Sequence, residues 1–235
     1  MTTVLLVRHG RTAANVSGVL AGWTPGIHLD EKGQEQAADL GVRLKAVPLA
    51  AIITSPLDRC RDTAEALLRE REGTPLHIDD RVAECRYGDW TGRELKALAK
   101  DPLWKVIQGH PSAAVFPGPE GESMAAMHAR SVAAVRDWNA RLGPDATYLI
   151  VSHGDVIKAV VADALGLHLD QFQRISIDPC SLTVIRYTAL RPFVDRVNDT
   201  GGSVDGLLPP KTRRRGPRRR SRESDAVVGG GAGTP

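Results

Sequence analysis

At 235 residues and 42% hydrophobic, the chain is long enough to bury a sizeable core, and three cysteines are too few and too widely spaced for a disulfide scaffold or a zinc ribbon. No apolar run reaches the length of a membrane span and no basic-then-apolar leader precedes the first strand, so a cytoplasmic protein is expected. The formal net charge of +3 is unevenly spread, because residues 199–235 hold eight cations (Lys211 and seven arginines) against four anions.

Thr2 to Val7 is a run of apolar β-formers ending in Arg8-His9-Gly10-Arg11-Thr12. In open α/β sheets ligands gather beyond the carboxyl ends of strands, so His9 stands where a sheet presents chemistry. Asp30 can cap a helix whose Ala37, Leu40, Gly41 and Leu44 share one core-facing stripe. Ala50 to Thr54 reads as a strand running into Ser55-Pro56-Leu57-Asp58-Arg59, where Pro56 at the first helical position opens a helix and sets Arg59 on its first turn. Glu84 follows the short segment Arg81-Val82-Ala83 and precedes Tyr87-Gly88-Asp89-Trp90. Arg93 to Lys100 reads as a solvated helix, and Pro102 to Pro119 as an apolar insertion with Trp104 and Phe116. Ser123 can cap a long helix that buries Met127, Ala134, Val135, Trp138 and Leu142.

Thr147 to Val151 reads as a second buried strand and runs into Ser152-His153-Gly154-Asp155; a helix from Val156 to Leu165 stops at Gly166. Leu182 to Tyr187 and Phe193 to Val197 read as closing strands around a turn at Arg191-Pro192. The alternation of strands and helices predicts one α/β domain over 1–198, three-layered with a mostly parallel central sheet. Beyond it, 199–235 is Gly-, Pro-, Ser- and Arg-rich and predicts a disordered tail, which could meet nucleic acid through salt-sensitive phosphate contacts or simply be solvated.

Two strands thus end in His-Gly and a third delivers Arg59, so Arg8, His9, Arg59 and His153 are expected to converge above one sheet edge. Taken in order, Arg8-His9-Gly10-Arg11-Thr12 with Asn15, Asp30-Glu31-Lys32-Gly33, Ser55-Pro56 with Arg59 and Thr63-Ala64, Glu84 with Tyr87-Gly88-Asp89-Trp90, Gly121-Glu122-Ser123 and Ser152-His153-Gly154 resemble the histidine phosphatase (phosphoglycerate mutase-like) superfamily over residues 2–198. The resemblance implies the phosphoglycerate mutase-like fold, with His9 as a nucleophile that becomes phosphohistidine, His153 stabilising the transferring group, and Glu84 as proton donor; Asp89, the nearest rival acid, reads better as a turn residue. Arg8 and Arg59 offer bidentate forks for phosphoryl oxygens, and Asn15 and the Gly154 amide offer further donors. No cofactor is expected. The seven histidines show no zinc-like helical pair, so charge handling falls to these side chains.

Phosphatases and mutases share this core. The insertion lacks the clustered cations that would grip a doubly phosphorylated intermediate, so a phosphatase of small phosphomonoesters is expected ahead of a mutase. A non-catalytic phospholigand- or RNA-binding module is the remaining class. Trp23, Trp104, Phe116 and Glu122 are candidate rim residues around an apolar leaving group, while the rings could equally form a satellite core. Glu122 also reads as a helix-start acid. The expected partner is the phosphomonoester, with no membrane; a homodimer through the sheet edge, common among relatives, is left open because the sequence does not fix the oligomeric state.

Overall fold

The computed structural model describes residues 1–69, 71–201 and 229. Its centre is β1 (Thr2–Arg8), whose period-two side chains divide the core: Val4 and Leu6 face one layer, Leu5 and Val7 the other. β1 pairs in parallel with β4 (Thr147–Ser152), which pairs with β2 (Ile52–Thr54), which pairs with the edge strand β3 (Leu76–Ile78). On its other side β1 meets antiparallel β5 (Leu182–Tyr187), followed by β6 (Pro192–Asp199), giving the order β3-β2-β4-β1-β5-β6. The sheet is therefore parallel through four strands and antiparallel at one side.

Helices cover both faces. α2 (Glu31–Leu44) and α3 (Asp58–Leu68) bury Ala37, Leu40, Leu44, Ala64 and Leu67 against Leu5, Val7, Ile52, Leu149 and Val151. α6 (Met124–Leu142) and α7 (Gly154–Ala164) bury Val135, Trp138, Ile157 and Val160 against Val4, Leu6, Ile53 and Ile150. The caps form as expected. Asp30 accepts from the Gly33 amide at 2.7 Å and Ser123 from the Ala126 amide at 3.0 Å. Pro56 differs from expectation: Leu57 is the N-cap of α3 and Pro56 precedes it, although Arg59 still falls on the first turn.

The insertion builds a third cluster around α1 (Ala13–Ser17), α4 (Leu95–Leu98) and α5 (Pro102–Gly109). The helix expected over 93–100 shrinks to four residues because Pro102 drives Asp101 to an extended conformation, ψ 137°, and the chain restarts there as α5 with Asp101 capping the Leu103 amide. β6 ends at Asp199, which accepts from Arg43 and Arg196. Apart from residues 199–201 and 229, the expected disordered, Arg-rich tail lies outside the described residues. Among those described, no helix is long and apolar enough to cross a membrane, and Cys60, Cys85 and Cys180 are free and buried.

Candidate active site

β1 delivers His9 by continuing its ladder one step: the His9 amide donates to the Ser152 carbonyl at 3.0 Å, then the Gly10 amide donates to Thr63 Oγ1 at 3.1 Å and the chain leaves the sheet. This turn packs so closely on the start of α2 that a Cβ at Gly33 would lie 2.1 Å from the Arg11 carbonyl oxygen. Only glycine fits that approach. The His9 ring is 3% exposed, and Nδ1 donates to the Gly10 carbonyl at 2.7 Å, which leaves the lone pair on Nε2. Burial, with Arg59 and Arg8 adding to it, holds the imidazole well below its ordinary pKa of 6.5, which favours the neutral ring.

Arg59 links the centre. Its Nε donates to His9 Nε2 at 3.3 Å and its Nη2 to the Gly22 carbonyl at 2.9 Å, while His153 Nδ1 lies 3.2 Å from Nη2. Its buried Nη1 has no hydrogen-bond partner among the described residues. With Nδ1 accepting from Arg59, His153 donates from Nε2 to Ser55 Oγ at 2.8 Å. Burial and the same arginine push His153 well below 6.5 as well. The 3.9 Å approach of Glu84 to His153 is therefore a contact with a neutral ring and no ion pair. The rings of His9 and His153 stand 5.3 Å apart at 60°. Arg8, fully buried, donates from Nη1 to the Ile177 carbonyl at 2.8 Å and from Nη2 to the Gly229 carbonyl at 3.4 Å.

Glu84 follows a one-turn 3-10 helix, Asp80–Val82, that Asp79 caps. The residue is 4% exposed, and Oε1 accepts from the Cys85 amide at 3.0 Å. Burial first, then the Asp155 carboxylate, raises its pKa to about 7, against the opposing pull of Arg59, the Cys85 amide and Arg8. A carboxyl tuned there can give and take a proton near neutrality.

The structure brings His9, Arg59 and Glu84 together on one cavity with Asn15, Gly22 and Tyr87, and His153 and Arg8 adjoin it through the bonds above. Asn15 also closes a capping box, its Oδ1 accepting from the Thr12 amide. Gly154 is the first residue of α7, where amides have no partner within the helix. The Gly229 backbone fills part of this space, donating to Asp155 Oδ2 at 3.0 Å. About 30 Å³ remains.

Three of the four rim candidates are corrected. Trp104 and Phe116, 6% and 2% exposed, pack on Trp90 in the satellite core, because the insertion folds its own apolar face inward. Glu122 pairs with Arg130 at 2.6 Å instead of facing the cavity. Trp23 does lie at the site's margin: its Nε1 donates to the Glu84 carbonyl at 2.7 Å, and it lines an adjoining cleft of about 370 Å³ with Pro25, Arg86, Thr91 and Glu120. Sequence reasoning missed the working contacts of Ser55, Tyr87 and Asp155; Tyr87 Oη donates to Asp155 Oδ2 at 3.0 Å. For Asp155 the signal was present, a charged residue directly after His-Gly at a buried helix start.

The family model for the histidine phosphatase superfamily (branch 1) matches residues 4–200. The chain is similar to the probable phosphoglycerate mutase GpmB of Erwinia tasmaniensis, 32% identical over 212 residues that cover 88% of this chain and 95% of that protein. Among solved structures it is similar to YhfR of Bacillus stearothermophilus, at 32% identity, a TM-score of 0.77 and coverage of 85% and 98% of the two chains. It is also similar to a mycobacterial glucosyl-3-phosphoglycerate phosphatase, at 27% identity, a TM-score of 0.74 and coverage of 84% and 98%. The matched segment runs from β1 through β6 and carries His9, Arg59, Glu84 and His153 in the geometry just described: this chain belongs to the histidine phosphatase superfamily.

Proposed function

We propose that the protein is a metal-independent phosphatase of small phosphomonoesters that works through a phosphohistidine at His9. The observation that carries this reading is the neutral Nε2 of His9, held on the same buried cavity as a guanidinium with a spare donor and a carboxyl tuned to about 7. In the first step His9 Nε2 attacks phosphorus, and the bond from phosphorus to the ester oxygen breaks. Protonated Glu84 gives its proton to the leaving alkoxide. In the second step Glu84, now a carboxylate, takes a proton from water as that water attacks the phosphohistidine, and the P–N bond returns its electrons to His9. Arg8, Arg59 and His153 hold the equatorial oxygens in this reading.

A phosphomutase is the second reading, favoured by the names of the GpmB relatives. Against it, Arg93, Lys96, Lys100 and Lys105 are exposed and none lines the cavity, where Arg59 is the one lining cation among the described residues. A site that must retain a doubly phosphorylated intermediate calls for more.

The test is phosphate release from p-nitrophenyl phosphate in EDTA, comparing the protein with His9→Ala. The reading expects release that survives EDTA and disappears in the variant. Phosphoglycerate isomerisation outpacing phosphate release would replace it with the mutase reading.

A further inference from the structure

We propose that Arg130, paired with Glu122, is a positioning residue for the proton donor Glu84, an inference that rests on the acid role assigned above. Arg130 lies on α6, 46 residues from the acid, and spends all five of its N–H donors within this one locality. Nη1 donates to the carbonyls of Arg81 and Ala83, each at 2.8 Å, and Nη2 to the Glu84 carbonyl at 3.0 Å. The remaining donors grip Glu122, Nε to Oε1 at 2.6 Å and Nη2 to Oε2 at 2.9 Å.

Glu122 completes the clamp on the far side of the acid. Its Oε2 accepts from the Arg86 amide at 3.2 Å, and its own amide donates to the Arg86 carbonyl at 2.8 Å. The segment 81–86 is neither helix nor sheet at Glu84, so its carbonyls have no ladder to satisfy them. One planar guanidinium supplies three of those bonds, and Trp23 Nε1 adds a second donor to the Glu84 carbonyl at 2.7 Å. Lysine cannot reproduce this fork. The pair is partly buried, with side chains 21% and 13% exposed, so solvent screens it less than a surface pair.

Placement of the backbone matters here because a general acid works only within hydrogen-bond reach of the departing oxygen, and displacement of about 1 Å is enough to lose it. Loosening the clamp should therefore weaken proton delivery while leaving attack by His9 in place. An alkyl ester needs the proton; p-nitrophenolate leaves without it. A clamp that served stability alone would slow both esters alike.

The experiment compares kcat for glycerol phosphate and p-nitrophenyl phosphate in the full chain and in Arg130→Lys, Glu122→Gln and Glu84→Gln. Arg130→Lys should lower the alkyl-to-aryl ratio by ~10-fold or more, and Glu122→Gln should shift it the same way by less. Combined with Glu84→Gln, Arg130→Lys should add no further loss on glycerol phosphate, because both changes remove one function. If Arg130→Lys does not fold, Glu122→Gln carries the comparison. An unchanged ratio in the clamp variants, with Glu84→Gln selective, overturns the clamp alone. If Glu84→Gln slows both esters equally, the acid assignment falls and the clamp's role falls with it.

Discussion

Glu84→Gln should make the protein more stable at alkaline pH while disabling its chemistry. The carboxyl is fully buried and its pKa stands at about 7 against an ordinary 4.5. Between those values the folded protein holds a proton that the unfolded chain has released, so stability falls as pH rises from 4.5 through 7. Above 7 the folded state carries a desolvated carboxylate at a cost of about 3 kcal/mol, the free-energy equivalent of that difference in pKa. Glutamine keeps an oxygen for the Cys85 amide but never ionises. The variant should therefore match the parent near pH 5 and exceed it by about 3 kcal/mol near pH 8.5, roughly 6–12 °C in Tm for a chain of this size. Thermal melts of both proteins at the two pH values measure this. A gain equal at both pH values, or a loss at pH 8.5, would show that the carboxyl is not strained by ionisation and would undo the account of its tuning.

Arg59→Lys keeps the charge but cannot bond His9, His153 and the Gly22 carbonyl together, so kcat should drop on the order of 10²-fold; near-parental turnover would remove Arg59 from the centre. Trp104→Ala should cost about 3–5 kcal/mol of stability with KM unchanged, as befits a core residue; urea unfolding and steady-state kinetics check the two halves, and a raised KM with intact stability would restore Trp104 to a substrate rim. The Gly229 carbonyl occupies an Arg8 donor that a phosphoryl oxygen would take, so removal of residues 202–235 should lower KM roughly 2–10-fold at unchanged kcat. Equal KM in both forms would show that Gly229 does not compete in solution.

The candidate site residues were legible because the fold places them locally. His9 and His153 each sit one residue past a strand, and Arg59 lies on the first turn of α3, so a run of β-formers followed by a polar cluster marks the spot. The caps at Asp30 and Ser123 are likewise matters of three or four residues. What stayed hidden depends on distance along the chain. Nothing in Gly-Glu-Ser says that Glu122 turns to an arginine eight residues on, or that this arginine grips carbonyls 46 to 49 residues back. An apolar insertion reads the same whether it lines a ligand or packs on itself; for Trp104, stacked on Trp90, and Phe116, edge-on to it, only that packing decides. The edge strand β3 is three residues long with Leu76 and Ile78 exposed, too short for a period to show.

The central claim is that His9 carries the phosphoryl group. Rapid mixing with p-nitrophenyl phosphate, an alkaline quench that spares phosphohistidine, and mass spectrometry of the digested protein would test it most directly. The account predicts one added phosphoryl group on the peptide containing His9, formed no slower than turnover and absent in His9→Ala. Turnover with no phosphopeptide, or with the label on another residue, would contradict it.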